Sequence, residues 1–180
     1  MICYNSESFQ KCGEELKNDF NSYVTEYSAD LTRLCMTLCT NKDYADDLFQ
    51  ETWLKALRHY KKRNTDVPFD KWLYSICVNT YKNVLLSARH RRSYSFRTDE
   101  EQTEFFNSIP EVNDENRDDY SALHYAISTL PKKQKIVIVL YYFKDYSIKD
   151  IALIVNAPEG TVKSRLSAAR KALKRRLINE

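Results

Sequence analysis

Residues 147–177, SIKDIALIVNAPEGTVKSRLSAARKALKRRL, decide the fold. Ser147-x-x-Asp150 has the spacing of an N-terminal capping box, in which a hydroxyl accepts from the backbone N–H three residues on. Ile151, Ala152, Ile154 and Val155 then give a short apolar helix, and Ala152 is small enough to admit a close helix crossing. Asn156 ends it, because asparagine enters the left-handed backbone region at low cost. Pro158 pre-sets φ for the first turn of the next helix. There Val162, Leu166, Ala169, Leu173 and Leu177 form an inner stripe, while Lys163, Ser164, Ser167 and Lys171 share the outer side, flanked by Thr161, Arg165 and Arg170. Residues 161–176 hold seven basic groups and no acid. A solvated basic helix would explain the charge alone, but cap, turn and charge coincide. Together they predict a helix-turn-helix, whose second helix enters the DNA major groove and reads bases near its N-terminus.

Upstream of this stretch, a helix from about Tyr120 to Thr129 ends before Pro131, and a strongly apolar one follows from about Lys132 to Phe143. Its run Ile136–Phe143 is the longest apolar run in the 180 residues and is too short to span a bilayer. With only two glycines and four prolines, the chain lacks the turn residues that a sandwich, barrel or doubly wound sheet would need. The expected class is all-α. The opening MICYNSESFQKCGEELK has neither a basic n-region nor an apolar h-region, so a cytoplasmic location is expected. Five cysteines are an odd number in such a chain, and Cys35 and Cys39 have no histidine nearby in sequence, which favours buried apolar thiols over zinc or redox chemistry. No metal and no cofactor is expected.

Net charge is +3 in total, but it divides unevenly: +3 over residues 1–98, −8 over 99–119 and +8 over 120–180. The acidic block, DEEQTEFFNSIPEVNDENRDD, also lacks helical periodicity and reads as a flexible linker between two small helical domains. Its charge is explained by solvation or, more specifically, by mimicry of nucleic acid in a basic channel. The expected order is an N-terminal extension (1–13), a first domain (14–94), the acidic linker (95–118) and a second domain (119–180).

In the first domain, Phe20, Tyr23, Tyr27, Leu31, Leu34, Cys35 and Leu38 follow helical spacing up to a turn at Thr40-Asn41-Lys42. The next helix, about Asp43 to Tyr60, has the apolar stripe Ala45, Leu48, Phe49, Thr52, Trp53, Ala56, Leu57 and Tyr60. Asp47, Gln50, Glu51, Leu54 and Arg58 share the opposite face. Leu54 is either an ordinary exposed apolar residue or the centre of a protein-binding patch with a polar rim. Lys61–Val67 is a polar loop, and Pro68 opens a helix with a buried stripe of Phe69, Leu73, Ile76, Cys77, Thr80, Val84 and Ala88. Its other side carries Ser75, Asn79, Lys82, Asn83, Leu86 and His90, with Trp72 at the border and Arg89 leading a basic cluster. Amides can read base edges and aromatics can stack on unpaired bases, so this side suits nucleic acid.

DDLFQETWLKAL, PFDKWLYSICVN and LPKKQKIVIVLYYFKDYSIKDIALIVNAPEGTVKSRLSAARKAL, in this order around an acidic segment, resemble the extracytoplasmic-function (ECF) group of bacterial RNA polymerase sigma factors. The resemblance covers sigma region 2 (about 14–94) and sigma region 4 (about 119–177). It implies an alternative sigma factor that binds core RNA polymerase, recognises −10 and −35 promoter elements and opens promoter DNA, for a stress or envelope-response regulon. Asp47, Gln50, Glu51, Leu54 and Arg58 would then face the polymerase clamp helices. Lys61, Lys62, Arg63, Asn64, Trp72, Asn79, Lys82, Asn83 and Arg89 would serve −10 recognition and melting. Thr161, Lys163, Ser164, Arg165, Ser167, Arg170 and Lys171 would serve the −35 element. An anti-sigma factor, often membrane-anchored, is an implied partner, and a small-molecule substrate is not. Asn83 departs from the family's usual acidic residue, Ala168 from a frequent arginine and Ala157 from a common capping serine.

Two other readings compete. A helix-turn-helix repressor or activator working without polymerase would need a ligand or dimerisation domain, and residues 14–94 show no such signature. An enzyme, such as a tyrosine recombinase, would need a catalytic constellation, and the sequence holds no spaced Arg/His/Tyr set, glycine-rich phosphate loop or metal cluster.

Overall fold

The computed structural model describes residues 6–39, 41–88 and 117–178, with side chains described for 19–39, 41–83 and 123–177. Among the described residues all regular structure is helical: α1 (Ser6–Leu38), α2 (Lys42–His59), a 3-10 turn (Tyr60–Lys62), α3 (Phe69–Ala88), α4 (Arg117–Ser128), α5 (Lys132–Tyr142), α6 (Ile148–Val155) and α7 (Glu159–Ile178). None of these helices is long and apolar enough to cross a membrane. Residues 89–116, which include Arg89 and most of the acidic segment, lie outside the described residues; the last residues of that segment, from Arg117, are helical and open α4, not linker as expected.

α1 starts inside the stretch read as an N-terminal extension, since nothing stronger than Gly13 interrupts helix between Ser6 and Leu38. Asn41 makes the break that follows. Its side-chain oxygen accepts from the N–H of Asp43 at 2.8 Å and of Tyr44 at 3.3 Å, satisfying two of the free donors that open α2. Phe20, Tyr23, Tyr27, Trp53, Tyr60, Phe69 and Trp72 then bring rings from α1, α2, the 3-10 turn and α3 together. Tyr23 stacks on Phe69 at 3.9 Å between centroids, and Trp53 meets Phe20 edge-on at 5.7 Å. Cys35, Cys39 and Cys77 are buried beside this cluster, with the Cys35 and Cys77 sulfurs 3.9 Å apart. Burial pushes the Cys39 thiol up to about 12, and the Cys77 contact together with burial raises Cys35 still further. Such thiols are packing groups with little thiolate at neutral pH.

In the second domain the helix-turn-helix forms as its residues dictate. The Ser147 hydroxyl oxygen accepts from the Asp150 N–H at 3.1 Å, and Asn156 closes α6 at φ 51°, ψ 62°. Ala157 donates to the Ala152 carbonyl at 3.0 Å, so it belongs to the end of α6, while Pro158 supplies the first carbonyl of α7. Lys135–Leu140, six successive residues of α5, are all buried. Six successive positions cover every side of a helix, so α5 is enclosed: α6 and α7 cover it from its own domain and α1 from the other. The two domains consequently share one continuous apolar core, in which Leu38 and Tyr81 join Ile138 and Ile154.

Three burial expectations need correction. Leu57 is 55% exposed, although it was placed in the inner stripe of α2. It lies about 60° around the helix from Leu54 at 100° per residue, nearer the outer face than the core. Leu177 is 43% exposed because the last turn of α7 runs beyond the helices that cover Leu166 and Ala169. Tyr74, Val78 and Tyr81 of α3 are buried outside the predicted stripe, since α3 packs on α6 as well as on α1 and α2.

Candidate polymerase and nucleic-acid interfaces

The outward face of α2 combines apolar and charged groups. Leu54, 48% exposed, and Leu57 stand side by side with Asp47, Gln50 and Arg58 exposed around them. Glu51 is half-buried and pairs with Lys55 at 3.2 Å, and Lys55 also donates to the Thr80 hydroxyl at 3.2 Å. Two leucines with a polar rim form the kind of patch that a protein partner desolvates. Leu57 was missing from the sequence-based set, although wheel geometry places it there.

The second group spans the 3-10 turn and α3. Lys61 and Lys62 project from the turn. Arg63 instead folds back over the rings of Tyr23, Tyr60 and Phe69, 5.6 to 5.9 Å from their centroids. Such cation–π contacts make Arg63 part of the aromatic cluster, a role its place in a basic run does not reveal. Asn64 accepts from the Asp66 N–H at 2.9 Å and shapes the loop. On α3, Asn79 and Asn83 are exposed and Trp72 is half-buried on the same side. Lys82 is half-buried; its Nζ donates to the Val155 carbonyl at 3.3 Å and reaches Asn79 at 3.4 Å. Burial lowers its pKa, and the cationic Arg165 and Lys133 lower it further.

The third group lies on α7. Lys163, Ser164, Ser167, Arg170 and Lys171 are exposed, whereas Thr161 and Arg165 are half-buried at the rim. Arg170 is held: its Nε donates to the Tyr142 hydroxyl at 2.9 Å, and its guanidinium lies over the Tyr141 and Tyr142 rings at 5.3 and 5.5 Å. Tyr142, 54% exposed, was not in the sequence-based set and fixes where this cation points. Arg176, by contrast, donates to the carbonyls of Ala126 and Thr129 at the end of α4, so part of the C-terminal charge serves the fold. Among the described residues no group of three or more His, Cys, Asp or Glu is placed to hold a metal ion.

Residues 23–92 match the family model of sigma-70 region 2, and residues 120–173 that of sigma-70 region 4. The chain belongs to the ECF group of RNA polymerase sigma factors. Among curated relatives of this sigma factor, the RNA polymerase sigma-H factor of Pseudomonas aeruginosa is 32% identical over 169 residues, covering 89% of this chain and 87% of the relative. The ECF RNA polymerase sigma-E factor of Salmonella typhimurium is 33% identical over 162 residues, covering 86% and 84%. In fold, the sigma factor is similar to the sigma factor RpoE solved with the anti-sigma factor NepR from Bartonella quintana. That match has a TM-score of 0.67 and 23% identity, over 88% of this chain and 96% of that one. α1–α3 are thus region 2, and α4–α7 region 4.

Proposed function

We propose that the three outward faces divide the work of promoter-directed initiation. Leu54 and Leu57, rimmed by Asp47, Gln50, Glu51 and Arg58, dock on core RNA polymerase. Trp72, Asn79, Lys82 and Asn83, with Lys61, Lys62, Asn64 and Arg89 at the edges, engage the −10 element, holding unstacked bases so that binding energy drives duplex opening. Lys163, Ser164, Ser167, Arg170 and Lys171, with Thr161 and Arg165 on the rim, engage the −35 element as duplex. Arg63 contributes indirectly by bracing the loop. The observation that carries this reading is an exposed leucine pair on α2 in the same chain as an exposed, cationic recognition helix on α7. The chain itself works by binding; phosphodiester chemistry belongs to the polymerase. The structural neighbour's complex with NepR supports an anti-sigma factor as a further partner.

The test is a pull-down of core polymerase by the full chain, followed by transcription from promoters of the same genome. Leu54→Asp is expected to weaken core capture at least tenfold, in the range of a mid-sized interface anchor, with helix content unchanged. Unaltered capture by that variant would remove α2 from the interface. A folded wild-type chain that stimulates no promoter would remove the whole reading.

A further inference from the structure

Arg170 of the recognition helix takes its position from α5, outside the helix-turn-helix. Its Nε donates to the Tyr142 hydroxyl at 2.9 Å. The rings of Tyr141 and Tyr142 meet edge-on, 5.0 Å between centroids and 73° between planes, and the guanidinium lies over both at 5.3 and 5.5 Å. Tyr142 nonetheless keeps 54% of its surface exposed, and Arg170 is exposed beside it. An exposed pair with this much local order has given up side-chain freedom before any ligand arrives.

Hydrogen-bonding capacity shows what the pair can hold. A phenolic hydroxyl that accepts from Nε still has its own O–H to donate. A guanidinium engaged through Nε still has the N–H groups of Nη1 and Nη2, a planar fork that fits phosphate oxygens. Both residues can therefore donate to one anion. Arg170 stands 11 residues after Glu159, about 16 Å along α7, whereas a recognition helix reads bases with its N-terminal residues. It shares the outward face with Lys163, seven residues earlier and about 20° away around the helix. At this end of the face the group to be met is backbone phosphate, not a base edge. Tyr142 ends α5, and a helix C-terminus carries partial negative charge. A phosphate is repelled there until a cation offsets that charge, so Tyr142 alone is no anion site and Arg170 makes it one.

We infer that Tyr142 and Arg170 form a two-residue clamp for a single DNA backbone phosphate at the edge of the −35 element. Arg170 supplies charge through its Nη groups, while Tyr142 both aims the guanidinium and donates its O–H. This rests on the assignment of α7 to the −35 element. It adds a residue of α5 to the DNA-facing surface and fixes the register of α7 on the duplex without reading sequence, as phosphate contacts do.

The experiment measures promoter binding by the polymerase-bound factor on −35 duplexes in which one phosphate at a time is replaced by an uncharged methylphosphonate. Tyr142→Phe keeps the ring and removes the hydroxyl; it is expected to weaken binding about three- to tenfold, with unchanged preference among −35 base substitutions. One methylphosphonate position is expected to weaken wild type by a similar factor and to have little further effect on Tyr142→Phe or Arg170→Ala. Arg170→Ala should flatten the salt slope by about 0.9, and adding Tyr142→Phe to it should cost nothing more. Arg170→Lys, which keeps the charge and loses Nε, should restore the slope but not the sensitivity to Tyr142→Phe. Wild-type binding by Tyr142→Phe, losses that add in the combined variant, or an altered base preference would each overturn the clamp. Failure of the α7 assignment looks different, because Lys163→Ala and every methylphosphonate in the −35 element would then leave binding unchanged.

Discussion

Lys135 is a cation with 4% of its surface exposed, set in the shared core beneath the end of α1. Its Nζ is 3.5 Å from the Leu38 carbonyl, at the negative end of that helix, a long contact that offsets little of the lost hydration. Burial lowers its pKa to about 8. Below pH 8 the folded protein must keep a buried charge. Between about 8 and 10.5 the folded form releases the proton while the unfolded chain retains it, so this group's contribution to stability rises with pH. Lys135→Met removes the penalty, and with the shift from 10.5 to about 8 at 1.36 kcal/mol per unit the variant is expected to be more stable by roughly 3 kcal/mol at pH 7. Urea unfolding at pH 7 and 9.5 checks this, and the advantage should shrink at the higher pH. Cys39, raised to about 12, titrates in the opposite sense from pH 9, but it is present in both proteins and largely cancels in the difference. A gap that is constant or grows with pH would mean that Lys135 stays charged or finds water.

At the scale of elements, the turn between α6 and α7 fixes the aim of the recognition helix. Asn156 sits at φ 51°, where a residue with a Cβ and no local polar compensation loses about 1–2 kcal/mol. Asn156→Ala should therefore lower region 4 stability by about that amount, whereas Asn156→Gly should be within a few tenths of a kcal/mol of wild type. Thermal unfolding of the full-length variants compares them, and equal losses for Ala and Gly would point to the amide's hydrogen bonding instead of its backbone. This turn was legible in the sequence because its determinants are local: Ser147, Asp150, Asn156 and Pro158 act within a few residues. α3 was only half legible. The stripe of Phe69, Leu73 and Cys77 follows from periodicity, but burial of Tyr74, Val78 and Tyr81 depends on α6, which comes from beyond the acidic segment. Tyr142 was missed, and Arg63 was named for −10 recognition with no sign of its packing on aromatic rings, for a similar reason: the rings involved come together only in the tertiary structure.

Over the whole molecule, charge is the property that sequence revealed most directly and the fold then redistributed. The excess of +8 over residues 120–180 is not all available to DNA: Lys135 is buried, Lys144 pairs with Asp30 and Arg176 caps α4. The cations left on the outward side and rim of α7, chiefly Lys163, Arg165, Arg170 and Lys171, should carry the phosphate contacts. Each phosphate neutralised contributes about 0.9 to the slope of log affinity against log salt on duplex DNA. Lys163→Ala together with Arg165→Ala should then flatten the slope for promoter binding by the polymerase-bound factor by about 1–2. Lys163 is exposed, whereas Arg165 is half-buried and close enough to Lys82 to lower its pKa. If Arg165 also meets a phosphate, the double variant should lose about twice the slope of Lys163→Ala alone. If the two slopes coincide, Arg165 makes no phosphate contact and Lys163 alone of the pair carries the salt dependence.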